Sequence, residues 1–154
     1  MAGRPNRMWG IDATAGFTLR DGQVSIFTMI DHCSACCLGI HVARCGTRFE
    51  ALEPMHQAAR EQFGGFHEDV ALGVDFGHDH CSQFMSDDFQ REIRFLGLES
   101  SLAFLREPEG NGSIERFFRT LKEQLFWMRH PDTLEELANA LEELRQRYND
   151  QWLV

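Results

Sequence analysis

The sequence predicts an α/β fold in which helices pack over a mixed sheet. Two observations carry this. Three short apolar runs near the start are joined by tight links, as in an antiparallel meander; segments of helical period then alternate with further short apolar runs, which is the pattern of crossover connections. A chain of 154 residues is one domain by its length, and such a domain can bury about two-thirds of its unfolded surface.

Met8 to Thr14 reads as the first strand, with Trp9 and Ile11 on one face and Asp12 on the other. Asp21-Gly22 marks a hairpin turn. Val24 to Ile30 is apolar on both faces, as a central strand covered from both sides should be. Cys36 to Ala43 is the third strand, after a turn around Asp31 and His32. The period then changes. Thr47 with Glu50 three residues on forms a capping box, and Phe49, Leu52, Met55, Ala59 and Phe63 follow at helical spacing. Pro54 should kink this helix or mark its start, and Gly64-Gly65 ends it. Val70 to Val74 is read as the fourth strand, with Asp79 in the loop after it.

Ser86 caps the next helix, with Asp87 and Asp88 in the first turn, where the helix dipole favours negative charge. Phe89, Ile93 and Leu96 form its apolar stripe and Gly97 stops it. Leu98 to Leu102 is the fifth strand. Arg106 to Gly112 is polar and glycine-containing, and is expected to act as a mobile lid. A helix from about Ser113 to Trp127 follows, in which Phe118, Phe126 and Trp127 are expected core residues. Thr133 and Glu136 form a second capping box, opening a helix whose inner face is Leu134, Leu137, Leu141, Leu144 and Tyr148.

With 43% hydrophobic and 25% charged residues the composition is that of an ordinary globular domain. No apolar run is long enough to span a membrane, and the opening residues lack the apolar core of a signal peptide, so the expected location is cytoplasmic. Five cysteines, an odd number, suit reduced thiols better than a disulfide framework. Cys33 and Cys36 make a lone CxxC in or beside a strand, where residues three apart point to opposite faces. Small buried side chains explain it better than zinc.

The net charge of −9 argues against tight autonomous binding to nucleic acid, because Lys and Arg supply most non-specific affinity. From Asp132 onward there are six acids against two arginines. Any grip on DNA must be local or come from elsewhere.

Three acids stand in suggestive settings: Asp12 on the first strand, Asp79 after the fourth, and Glu115 where a glycine-rich stretch enters a helix. Each alone is most simply a solvated or capping group. Together they form a set able to share divalent cations, since hard cations prefer carboxylate oxygens and two such ions can drive an in-line phosphodiester displacement. Glu115, Arg119 and Lys122, the only lysine in the chain, are spaced i, i+4, i+7 and project from one helix face. Asp31 reads as a turn residue. His78 and His80 flank Asp79, but hard-cation sites seldom use more than one imidazole.

The motifs around these acids resemble the catalytic core of insertion-sequence transposases of the retroviral-integrase-like (DDE) superfamily. Met8-Trp9-Gly10-Ile11-Asp12-Ala13-Thr14 looks like their Trp-x-x-Asp-x-Thr opening. Ile30-Asp31-His32-Cys33-Ser34 with Gly39 looks like their second strand and turn. His78-Asp79-His80-Cys81-Ser82-Gln83-Phe84 looks like their second acid motif, and Glu107 through Lys122 their third. The likeness runs over nearly the whole chain. It implies a ribonuclease H-like fold with a five-stranded mixed sheet, three strands antiparallel and two parallel. It also implies that Asp12, Asp79 and Glu115 bind two Mg²⁺ or Mn²⁺ ions, that Arg119 and Lys122 touch DNA, and that the core is a homodimer acting on transposon ends and target DNA.

Two positions depart from the family's pattern: Cys81 stands where many relatives have glycine, and Gly77 where they often carry a polar or basic residue. The family's N-terminal DNA-reading region is not expected in this sequence. The rival expectation is a catalytically impaired remnant serving as a dimerisation or interaction module.

Overall fold

The computed structural model describes residues 6–78, 82–100, 108–127 and 130–152. Strands β1 (Met8–Thr18), β2 (Gly22–Asp31) and β3 (Cys37–Ala43) form the expected antiparallel meander. Strands β4 (Asp75–Gly77) and β5 (Glu99–Ser100) extend it in parallel from β1, giving the order β3-β2-β1-β4-β5. The helices are α1 (Arg48–Phe63), a short α2 (Ser82–Met85), α3 (Asp87–Leu96), α4 (Pro108–Leu121) and α5 (Leu134–Arg147). Wider π-helical turns continue α4 over Lys122–Trp127 and α5 over Tyr148–Trp152. Among the described residues no helix is long and apolar enough to cross a membrane.

The sheet separates two cores, as the two-sided apolar pattern of β2 requires. Trp9, Ile11, Phe27 and Met29 face α1, α2 and α3, where they meet Met55, Phe84, Phe89 and Leu96. Ile26, Ile30, Ile40 and Val42 face the other way, onto Ile114, Phe117 and Leu121 of α4 and Leu137, Leu141 and Leu144 of α5. A register shift between Met29 and Ile30 lets Cys37 join the same core as Ile40.

The turn expected at Asp21-Gly22 is a three-residue loop in which Thr18 pairs with Gly22, and Gly22 takes the positive φ of +72° that closes such a hairpin. The loop is fastened down. Leu19 and Arg20 donate their N–H groups to the carbonyls of Pro131 and Asp132 (3.0 and 2.8 Å), and Asp21 accepts from the backbone N–H of Leu134 at 2.8 Å.

Both threonines cap their helices as expected, but neither box closes on its cap: the Glu50 carboxylate pairs with His41, and Glu136 bonds one residue before Thr133. Thr47 accepts from the Glu50 N–H (3.3 Å) and Thr133 from the Glu136 N–H (3.2 Å), while Glu136 reaches back to the N–H of Asp132 (3.0 Å). Ser86 caps α3 through the Phe89 N–H at 3.2 Å, and Gly64 and Gly97 end α1 and α3 in left-handed conformation. Pro54 does not start α1; it lies inside it, with its carbonyl against β3. A Cβ on Gly39 would sit 2.3 Å from that carbonyl oxygen, so helix and strand approach closely only because position 39 is glycine.

Several boundaries differ from expectation: β1 runs on to Thr18, β3 begins at Cys37 and β5 at Glu99, and two differences are larger. Val70 to Val74 is not the fourth strand. Asp69 and Gly73 take positive φ (58° and 91°), and N–H groups of Val70, Leu72 and Val74 bond three residues back, making turns. The apolar run instead buries Ala71 and Val74 while leaving Leu72 73% exposed, and the strand begins at Asp75. Likewise Gly110-Asn111-Gly112 does not form a loop: α4 starts at Pro108, whose fixed φ suits a first helical position. The fifth strand is confined to Glu99–Ser100 among the described residues, and residues 101–107 lie outside them.

One buried polar cluster joins the layers on the α5 side. Arg145, 5% exposed, donates to Glu61 of α1 (2.9 and 3.0 Å), to Glu142 (2.6 Å) and to the carbonyl of Cys37 (3.1 Å). Hydrogen bonding from Arg145 holds the Glu142 carboxyl below its ordinary range. Burial disfavours the Arg145 charge, but its bonds to Glu142 and Glu61 outweigh that and hold the guanidinium protonated. Burial also pushes the Cys37 thiol up, which keeps it unreactive.

Candidate functional site

Asp12 lies near the middle of β1, and strand alternation turns it away from Trp9 and Ile11, towards the side covered by α4. It is half-buried, and its Oδ1 accepts from the N–H of Ala13 at 2.8 Å. Its partner across the antiparallel ladder is Thr28, fully buried, whose hydroxyl oxygen has no hydrogen-bond partner among the described residues. A carboxylate beside an unsatisfied buried hydroxyl makes a polar spot on the sheet face that α4 and α5 cover.

β4 pairs in parallel with the start of β1, so that Phe76 lies beside Trp9 and Gly77 beside Gly10. Asp79, two positions beyond Gly77, lies outside the described residues, as do His80 and Cys81. His78 is described. Its ring packs among Phe76, Phe84 and Phe89, with centroids 5.8 to 6.1 Å away, and Gln90 lies 3.4 Å from its Nε2. That places the imidazole in the α2–α3 layer, opposite the face of Asp12.

Helix α4 supplies the other side. Ile114, Phe117, Leu121 and, in the π-helical turn, Leu125 form the buried stripe. That stripe turns Glu115 and Arg119 outwards, exposed, and leaves Lys122 half-buried at the point where the α-helix widens. Glu115, Phe118, Arg119 and Lys122 line one groove of about 360 Å³. The i, i+4, i+7 spacing therefore does bring an acid and two cations along a single face. Among the described residues none of Glu115, Arg119 and Lys122 forms an ion pair, in contrast to Arg20, Arg44, Arg48, Arg91 and Arg145. Charges that make no ion pair among the described residues are available to a ligand.

The chemistry of the donor set fits a hard divalent cation. Asp12 and Glu115 offer carboxylate oxygens from the sheet and from the helix packed on it, and soft ligands are not part of the set. Among the described residues no group of three His, Cys, Asp or Glu side chains is clustered as a metal site, so the two described acids do not close a site between them.

Asp31, Asp87 and Asp88 have structural roles. Asp31, 1% exposed, accepts from the N–H groups of Cys33 (2.9 Å) and Asn6 (2.8 Å), and so shapes the turn, as expected. Asp88 pairs with Arg48 at 2.6 Å, and Asp87 starts α3. Cys33 and Cys36 lie in the turn before β3, with Cys36 packed against the α1-side core. Phe118 packs on the other core, in accord with a structural part, while the side chains of Phe126 and Trp127 lie outside what is described.

Sequence reasoning missed Thr28 and the part played by Gly39. A threonine in an apolar strand gives no warning of an unpaired hydroxyl. Gly39 stands out in the sequence, but its neighbour Pro54 is fifteen residues away.

Residues 96–152 match the family model described as the integrase core domain. No curated protein matches the chain. Among solved structures, the catalytic core domain of BIV integrase is 16% identical, with a TM-score of 0.69 over 95% of this chain and 85% of that one. The HTLV-2 integrase catalytic core domain in complex with magnesium is 18% identical, with a TM-score of 0.70 over 98% and 90%. A chain of the simian T-cell lymphotropic virus intasome is 19% identical at a TM-score of 0.68, over 96% of this chain and 49% of its own length.

Proposed function

We propose, from the premise that this chain carries an integrase-like core domain, that it catalyses metal-dependent phosphodiester cleavage and DNA strand transfer of the DDE type during transposition. In this reading Asp12, Asp79 and Glu115 hold two Mg²⁺ or Mn²⁺ ions, and Arg119 and Lys122 grip DNA. The observation that carries it is the shared face: Asp12 points to the side of the sheet that α4 covers, and α4 presents Glu115, Arg119 and Lys122 along one groove. The HTLV-2 integrase core of the same fold is described with magnesium, in trimeric and dimeric forms.

Two ions bound there would activate the attacking oxygen and neutralise the leaving one in an in-line displacement. The protein's own work is positioning. Arg119 and Lys122 hold the phosphates of the reacting strand in register with Glu115, and the floor beneath them, Ile114 and Phe117, is rigid because it is buried. In cleavage, a water oxygen bonds to the scissile phosphorus while the bond to the 3′ oxygen breaks, freeing a 3′-hydroxyl. In strand transfer, that hydroxyl attacks a target phosphodiester and displaces the target's own 3′ oxygen.

The test is cleavage of branched transposon-end DNA with Mn²⁺. The isolated chain should bind DNA weakly and with steep salt dependence, because its −9 charge opposes binding and only a small basic face favours it, yet it should nick branched substrates. Lys122→Ala should weaken DNA binding, by about tenfold at low salt, with little change in metal affinity. A wild-type chain that neither cleaves nor binds metal would leave the dimerisation module as the better reading.

The proposed partner besides DNA is a second copy. The apolar side chains of α4 are spent on the core, but α1 leaves Phe49 57% and Phe63 37% exposed. Sedimentation at micromolar concentration should show a dimer that Phe49→Glu dissociates; wild type sedimenting only as a monomer would refute this.

A further inference from the structure

Lys122 borders a second groove. This one holds about 480 Å³ and is lined by Phe17, Leu19, Gln23, Lys122, His130 and Pro131, together with the backbone of β1 near Gly16. It lies beyond the groove of Glu115 and Arg119, and the only lysine in the chain is common to both. Phe17 and Leu19 are 56% and 62% exposed although they are large and apolar. They do not sit on a fraying end, because the hairpin that carries them is bonded to residues 131–134 through Leu19, Arg20 and Asp21. The volume falls within the roughly 300–1,000 Å³ typical of small-ligand sites.

The charge around this groove is sorted as well. The two acids of the hairpin and its anchor, Asp21 and Asp132, are paired with Arg44 (2.5 Å) and Arg20 (2.9 Å). Lys122 makes no ion pair among the described residues. The groove thus brings together an ammonium with no ion pair among the described residues, an exposed aromatic ring and a largely apolar lining. That pairing suits one nucleotide: a phosphate on the ammonium and a base on the ring. Within a duplex the stacked neighbours cover both faces of a base, so a ring set beside the phosphate track is met by an unpaired nucleotide.

We propose that this groove seats an unpaired nucleotide of the DNA strand whose neighbouring phosphates lie along Arg119 and Lys122, with its base stacked on Phe17. The inference rests on the DNA-processing reading above and adds a position outside the acid cluster.

Fluorescence anisotropy of the full chain, with a blunt duplex and the same duplex bearing a short single-stranded overhang, tests it. Wild type should prefer the overhang by about tenfold, the scale of one stacked base. Phe17→Ala should bring the overhang's affinity down to that of the blunt duplex, and Phe17→Trp should keep the preference. In the wild type, a 2-aminopurine placed in the overhang should lose fluorescence on binding. Two results would overturn the proposal: no quenching in the wild type, or an unchanged preference in Phe17→Ala, which together with loss of the dimer would assign the groove to a second copy. A wild type that binds neither DNA at low salt would overturn this proposal and the DNA-processing reading together. Blunt binding without an overhang preference would overturn this proposal alone.

Discussion

Glu115→Gln should reduce Mn²⁺-dependent cleavage by at least about a thousandfold while leaving the fold intact. The loss follows from charge: an amide oxygen is a poor ligand for a hard cation, and stabilisation of developing charge by bound metal is worth several kcal/mol, at about 1.4 kcal/mol per factor of ten. The intact fold follows from exposure, since Glu115 faces solvent and makes no ion pair among the described residues. Single-turnover cleavage of a branched substrate, with thermal melting of the same preparation, separates the two effects. A variant that cleaves within tenfold of wild type would remove Glu115 from the metal site.

The second large effect is on stability. Gly39→Ala should destabilise the domain by about 2–3 kcal/mol, the upper part of the range for forcing extra volume into a packed core. The new methyl would meet the Pro54 carbonyl oxygen at 2.3 Å and its carbonyl carbon at 3.0 Å, and both are backbone. No rotamer change relieves that contact; α1 must lift from β3, opening the core around Met55 and Leu38. Gly22→Ala makes a useful contrast. Its Cβ would meet nothing within 4 Å, and its cost comes only from the positive φ, about 1 kcal/mol. Denaturant midpoints at equal slope measure both. If Gly39→Ala costs no more than Gly22→Ala, the close approach of helix and strand is wrong.

The elements that were legible in sequence are those fixed by local chemistry. Thr47, Ser86 and Thr133 each cap the helix their spacing announced, and Gly64 and Gly97 end theirs, because a cap depends on a few adjacent residues. The two-sided apolar pattern of β2 foretold a layer on each face. Val70 to Val74 misled because an apolar run says only that side chains are buried. Here two positive-φ residues bend it into turns, and the strand is the less apolar Asp75–Gly77. The helix of Pro108–Leu121 was read as starting late because its glycines suggested a loop, although a proline at the first position favours an earlier start.

The candidate site was legible in part. The i, i+4, i+7 spacing was enough to align Glu115, Arg119 and Lys122, since helix geometry alone decides it. The alternation of β1 turned Asp12 to the side of α4. What no spacing could give is the distance between strand and helix, which depends on tertiary packing. The groove at Phe17 was invisible for the same reason, because its walls come from β1, β2, the end of α4 and the segment before α5.

In the proposed reading three acids distant in sequence hold metal jointly, and calorimetric titration with Mn²⁺ tests this most directly. The wild-type chain should bind Mn²⁺, and Asp12→Asn, Asp79→Asn and Glu115→Gln should each weaken binding by about tenfold or more, as loss of a charged ligand to a hard cation requires. Binding by the wild type that survives Asp79→Asn unchanged, or no binding at all, would contradict it.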